Sequence, residues 1–247
     1  LPSLSLQQAK ELIDLVQRAS SGDGVRALLG IHDTQYGGSV LTDSQEQALG
    51  AQNAILIATA NLDAGKSSSL IAQTNELTYT LSDNGIERLD IKVERKHTAT
   101  QKLSYIDPRT GGGNDIIGTD IAEVLVYTSK SATLLGGSQL ALLPDSRDVW
   151  ATYGTTMVLN LQDQKNVQAA FEQKTSSDKT DRLSGQKVVL YQFGAFPQRL
   201  MLKIQAPSGF KVGSLAPNAK RLDAHTIEYD ILQDKDLTLP YDFERER

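Results

Sequence analysis

The chain has no cysteine. That excludes disulfides, a cysteine nucleophile, thiolate-ligated zinc and iron–sulfur clusters. It leaves the redox compartment open. Methionine occurs only as Met157 and Met201, so the sequence does not start at an initiator Met. With the abrupt end after a strand-like run at 236–243, this leads to the expectation of a processed chain or an excised stretch. The longest purely apolar run, 54–58, is far too short to span a bilayer. Positive charge is in deficit: 25 Lys and Arg stand against 30 Asp and Glu, a net charge of −5 at pH 7. A nucleic-acid partner would want a basic face, and so would an anionic membrane surface, so neither is expected. Gly-x-Ser-x-Gly does not occur, which removes the nucleophile elbow of serine hydrolases. There is no internal repeat and no low-complexity segment.

What is present is an ordinary apolar content of 39% over 247 residues, enough to bury a core without cross-links or metals. The apolar period changes near residue 75. Before it, apolar residues recur at helical spacing; after it they mostly alternate. Ser5-Leu6-Gln7-Gln8 has the form of a capping box, and Leu6, Ala9, Leu12, Ile13, Val16 and Ala19 form one stripe, so a helix is expected over 6–19. Residues 25–31 suit a short helix or a strand. Asp43-Ser44-Gln45-Glu46 reads as a second capping box, followed by a broad Ala- and Leu-rich face, which predicts a helix over 44–64 with Gly65 at its C′ position. A shorter helix could follow over 67–75.

The remainder reads as strands at 77–81, 86–95, 98–106, 121–128, 149–161, 187–193, 199–205, 226–232 and 236–243, with one short helix at 166–173 and a polar loop at 175–185. Asn84-Gly85 marks a tight hairpin between the first two strands. The expected fold is therefore α+β: N-terminal helices (1–75) packed on a mainly antiparallel β-sandwich body (76–247), the two possibly forming one continuous domain.

Four groups of residues are candidates for chemistry. Ala60-Asn61-Leu62-Asp63-Ala64-Gly65-Lys66-Ser67 resembles the phosphate-binding loop of P-loop NTPases, with Ala in place of the first glycine. The resemblance implies backbone N–H groups of Gly65 and its neighbours around phosphates, Lys66 reaching their charge and the Ser67 hydroxyl on magnesium. The competing reading is a helix end with a Gly cap and a Lys near the negative dipole end. In the second group, residues 107–115, three glycines accompany Asp107, Asn114, Asp115 and nearby Asp120, which offer hard oxygen ligands of the kind calcium uses, with Arg109 beside them. The spacing matches no calcium loop, and turns favour the same residues.

The third group is His32, His97 and His225, which are far apart. His97 reads as a solvated turn, His225 as part of a hairpin, and no metal site is expected from them. In the fourth, Asp145, Asp148 and Tyr153 surround Trp150, the only Trp. Such a cluster could stack a sugar, but a single Trp more often sits in the core.

These residues point first to a non-enzymatic binding or assembly module of a surface, envelope or particle protein. It would contact another protein or a second copy of itself through loops (111–115, 175–185) or sheet edges. No cofactor is expected apart from possible calcium, and an extracytoplasmic location is favoured. A polysaccharide-active hydrolase or lyase using paired carboxylates is the first alternative. A nucleotide-binding protein using Gly65, Lys66 and Ser67 is the second.

Overall fold

A computed structural model describes residues 41–51, 54–62, 70–106, 113–144, 149–175, 181–192 and 197–246. The helix expected at 6–19 and the short helix or strand at 25–31 lie outside them. The chain divides into two units, 1–47 and 48–247. Among the described residues there is one helix, α1 (Asp43–Gly50). Its N-terminus is held by a reciprocal pair: Gln45 N–H donates to Thr42 Oγ1 (3.3 Å), and Thr42 N–H donates to Gln45 Oε1 (3.2 Å). The capping box thus begins at Thr42.

The described residues then form sixteen strands: β1 (Ala54–Asn61), β2 (Ile71–Leu81), β3 (Ile86–His97), β4 (Leu103–Ile106), β5 (Gly113–Ile117), β6 (Asp120–Ser129), β7 (Thr133–Leu134), β8 (Ala141–Leu142), β9 (Trp150–Leu159), β10 (Gln164–Lys174), β11 (Arg182–Leu190), β12 (Gln198–Gln205), β13 (Phe210–Val212), β14 (Ala219–Arg221), β15 (Thr226–Gln233) and β16 (Leu237–Arg245). They form sheet I, in the order β13-β16-β11-β1-β6-β9-β8, sheet II, in the order β14-β15-β12-β2-β3-β10-β7, and the β4–β5 hairpin. Among the described residues only the β1–β11 and β12–β2 pairings are parallel.

The two sheets share one core. Ile55, Ile57, Val124, Val126, Tyr153, Leu159, Val189 and Phe243 from sheet I meet Leu77, Tyr79, Leu89, Ile91, Val93, Phe171, Leu200, Leu202 and Ile204 from sheet II. Each large apolar side chain buried there contributes about 1.5–3 kcal/mol. The alternation of β2, β3 and β12 is the direct cause: every second residue faces this core. The β2–β3 turn uses Gly85 at φ 73°, as Asn-Gly hairpins require.

Three sequence expectations are corrected. The helix predicted over 44–64 stops at Gly50, and 54–61 is β1. Its residues Ala54 to Ala58 are all buried. A strand buried on both faces shows no alternation, so its run of Ala, Ile and Leu mimics a helix. The helix predicted over 166–173 is β10, whose Val167, Ala169 and Phe171 pair with Val93, Ile91 and Leu89. Helix-forming Gln, Ala and Glu there are overridden by a strand-spaced apolar face. Residues 71–75 are likewise strand, not helix. One short helix, rather than helices packed on a sandwich, is what the described residues contain; the mainly antiparallel sandwich is as expected.

Sheet edges are short. β13, β8, β14 and β7 each span two or three residues. Beside β7, residues 135–139 continue the cover of β10 without being a strand. Leu135 and Gln139 donate N–H groups to the carbonyls of Ala170 and Gln168. The Ser138 hydroxyl and the Gln139 amide oxygen accept from the N–H groups of Ala170 (3.1 Å) and Gln168 (2.7 Å). Side-chain oxygens thus stand in for strand carbonyls and close an edge that would otherwise pair with another chain.

Gly185 faces Tyr241 across the β11–β16 pair. A Cβ at Gly185 would come within 2.7 Å of the Tyr241 hydroxyl. Gly185→Val is expected to lower the urea unfolding free energy by about 1–3 kcal/mol through overpacking, and Gly185→Val with Tyr241→Leu to recover part of it.

Candidate functional site

β3 carries the chemistry of sheet II on both faces. Its inward row runs Glu87, Leu89, Ile91, Val93, Arg95, His97: apolar in the middle and polar at both ends. Each polar end is answered from sheet I. Glu87 (2% exposed) pairs with Lys187 (5%) of β11. Arg95 (3%) lies 3.0 Å, Nη1 to Oδ2, from Asp120 (0%) of β6. Burial lowers the pKa of Lys187 against the opposing pull of Glu87, and does the same to Arg95 against Asp120. The Lys187 ammonium sits over the rings of Tyr79 (4.5 Å) and Tyr241 (5.7 Å). Burial, with the Glu87 charge behind it, pushes the Tyr79 phenol far up.

His97 is fully buried, which corrects the expectation of a solvated turn. Its Nδ1 accepts from the Ala99 N–H (3.2 Å), so the ring proton is assigned to Nε2, which faces the Gly118 carbonyl at 2.9 Å. His225 donates from Nδ1 to the Phe210 carbonyl at 2.7 Å. Both are structural, and His32 lies outside the described residues. Close to the Arg95 end, an amide cluster bridges the sheets. Thr59 of β1 donates to Gln73 (3.1 Å), Gln73 to Asn75 (3.0 Å) and Asn75 to Gln198 (2.8 Å).

The outward row of β3 is Arg88, Asp90, Lys92, Glu94 and Lys96, alternating in sign. The first four are 50%, 43%, 33% and 31% exposed at their side chains. Arg88 forks onto Asp90, and Lys92 reaches Glu76 of β2 at 2.7 Å and Glu94 at 3.5 Å. The hydrogen bond to Asp90 raises the Arg88 pKa, and the one to Glu76 raises that of Lys92. Glu76, Arg88, Asp90 and Lys92, with Thr78, Gln168 and Ala170, line an open basin of about 380 Å³, rimmed by Gly136, Gly137 and Ser138. It lies on the most extensively paired strands, β2, β3 and β10, so its charges are held by a rigid platform.

A second, wider basin of about 860 Å³ lies where β13, β14 and β16 meet. Several of its charges are also paired within the chain. Arg182 forks onto Asp242 (2.5 and 2.8 Å) and, with the Ser214 N–H, holds that carboxyl below its usual range. Arg221 is spent on the carbonyls of Val212 and Gly213.

Many of the residues singled out in the sequence lie outside the described residues. Asp107 and Arg109 lie outside the described residues, as do Gly65, Lys66 and Ser67 and the acids Asp145 and Asp148. Asn114 and Asp115 are on β5, opposite Tyr105 and Ser104 of β4. Asp120 is buried as the counter-ion of Arg95. Trp150 is a core residue, 1% exposed and tilted against Tyr127 at 5.5 Å. Among the described residues no group of three or more His, Asp or Glu is placed to hold a metal ion. No helix among them is long and apolar enough to cross a membrane.

No protein-family model matches the sequence, and no curated protein matches it. Among solved structures, the chain is similar to a protein from Legionella pneumophila described as a "putative nutrient binding protein" (TM-score 0.39, 7% identity, 76% of this chain and 70% of that one). It is also similar to an M1 zinc metallopeptidase from Deinococcus radiodurans (TM-score 0.29, 9% identity, 70% of this chain and 42% of that one). Likeness this distant carries no inference about chemistry.

The buried Arg95–Asp120 pair has a specific energetic signature. Asp120→Asn is expected to cost about 3–5 kcal/mol in urea unfolding, because it strands a buried guanidinium. The double replacement Arg95→Met with Asp120→Leu should be close to neutral. A double replacement as damaging as the single one would contradict the assignment.

Proposed function

We propose that this chain is a non-enzymatic binding or assembly module of a surface, envelope or particle protein, and that its partner surface is the outer face of sheet II. One observation carries the reading: the charge stripe along β3 is self-complementary. Its signs run plus, minus, plus, minus at Arg88, Asp90, Lys92 and Glu94. A twofold axis lying between two copies, perpendicular to β3 and passing over Ile91, brings Arg88 opposite Glu94 and Asp90 opposite Lys92. Symmetric dimers require this self-matching of one patch. Opposed charges in register steer encounter and set orientation. The basin beside the stripe, bordered by 136–138, supplies a recess. The short edges favour contact through a sheet face over contact through added strands.

The test is sedimentation velocity over a range of concentrations and salt. A reversible dimer is expected that weakens as salt is raised, since exposed charges are screened over about 8 Å at physiological ionic strength. Lys92→Glu places like charges opposite each other and should weaken the dimer at least about tenfold, which is about 1.4 kcal/mol. The exchange Asp90→Lys with Lys92→Asp keeps plus opposite minus under the same axis and should restore it. A chain monomeric under every condition, or an exchange as damaging as the single change, would remove the proposal.

A further inference from the structure

The two inter-sheet ion pairs of β3 differ in one chemical respect. A guanidinium does not give up its proton and is no nucleophile, so Arg95–Asp120 can only remain an ion pair. An amine can give up its proton, and burial favours that in Lys187. We propose that Lys187 and Glu87 condense to an intramolecular amide that ties sheet I covalently to sheet II.

Four observations converge on this pair. The Lys187 amine is in direct contact with Glu87 Oε2, and both side chains are almost wholly excluded from solvent. The other carboxyl oxygen, Oε1, accepts from Gln173 Nε2 at 3.0 Å, a donor placed to hold charge developing on that oxygen. The Tyr79 and Tyr241 rings flank the amine, which shields a new bond from hydrolysis. A cavity of about 20 Å³, lined by Tyr79, Glu87, Thr128 and Gln173 among others, lies at the carboxyl. That is room for a single water molecule.

The step balances without any further reactant. A proton passes from the ammonium to the carboxylate, leaving a free amine and a carboxylic acid. Nζ adds to Cδ, and the negative charge falls on Oε1 beside Gln173. The Cδ–Oε2 bond then breaks. Oε2 leaves with the acid proton and one amine proton as water, and Nζ stays bonded to Cδ. No oxidation state changes. The driving force is electrostatic: two buried charges, each costly to desolvate, become one neutral amide. In a chain without cysteine it would be the covalent tie between sheets, joining positions far apart in sequence.

High-resolution mass spectrometry of the intact, denatured chain tests this directly. The expected mass is that of the sequence less one water. Trypsin should fail to cut after Lys187, and the digest should contain a branched peptide joining the Glu87 and Lys187 segments. Lys187→Arg, which keeps the charge and so the fold, should return the full sequence mass. Gln173→Leu should slow condensation, so that the lighter species grows with time after folding. A wild-type chain at full sequence mass, fresh and aged, with both peptides linear, would overturn the proposal in favour of a plain ion pair. Loss of ammonia instead of water would place the bond on Gln173 and overturn Glu87 as acceptor.

Discussion

Buried charge at the two ends of β3 is the constraint around which the sandwich is arranged. Glu87 must meet Lys187 and Arg95 must meet Asp120, because an unpaired charge in either place costs several kcal/mol. Leu89, Ile91 and Val93 fill the stretch between. One strand of sheet II is thereby fixed at both ends against two strands of sheet I. A slip of one residue would turn the whole inner row of β3 outward. A slip of two that set Leu89 against Lys187 would also put His97 in place of Arg95 against Asp120. The apolar core supplies the stability, and the ion pairs specify which of many apolar packings is adopted.

The same strand sets the outer surface. Because side chains alternate strictly, the inward row leaves Arg88, Asp90, Lys92 and Glu94 outward in a fixed line. Pairing with β2 and β10 on either side holds that line in register. The residues that fold the sandwich and those proposed to recognise a partner are thus interleaved in a single strand. Around this platform the edges are kept short or covered, at β7 by the borrowed oxygens of Ser138 and Gln139.

How much of this is legible in the sequence depends on where partners lie. Local features are readable: the alternation of 86–95, the Asn84-Gly85 turn, the strands 199–205 and 226–232, and Trp150 as core. β1 is not readable, because burial on both faces erases the period and leaves a run of good helix formers. β10 was readable from Val167, Ala169 and Phe171, but its Gln- and Ala-rich composition points the other way. The ion pairs are invisible in one dimension. Glu87 and Lys187 are a hundred residues apart, and nothing near Asp120 announces Arg95. The sequence therefore presented Asp120 as an oxygen ligand in a glycine-rich stretch, whereas its environment makes it a counter-ion. His97 beside Arg95 and Lys96 looked solvated for the same reason: its neighbours along the chain face outward or to a partner, and its own face is inward.

If the ends of β3 bind the sheets into one unit, the sheets cannot open separately. Native-state hydrogen exchange, read residue by residue in rising denaturant, measures this. The account predicts that the amides of β2, β3 and β10 exchange only through global unfolding, at the same opening free energy as those of β1, β6 and β11. Sheet II amides opening at a clearly lower free energy than sheet I would show that the sheets come apart independently, and would contradict it.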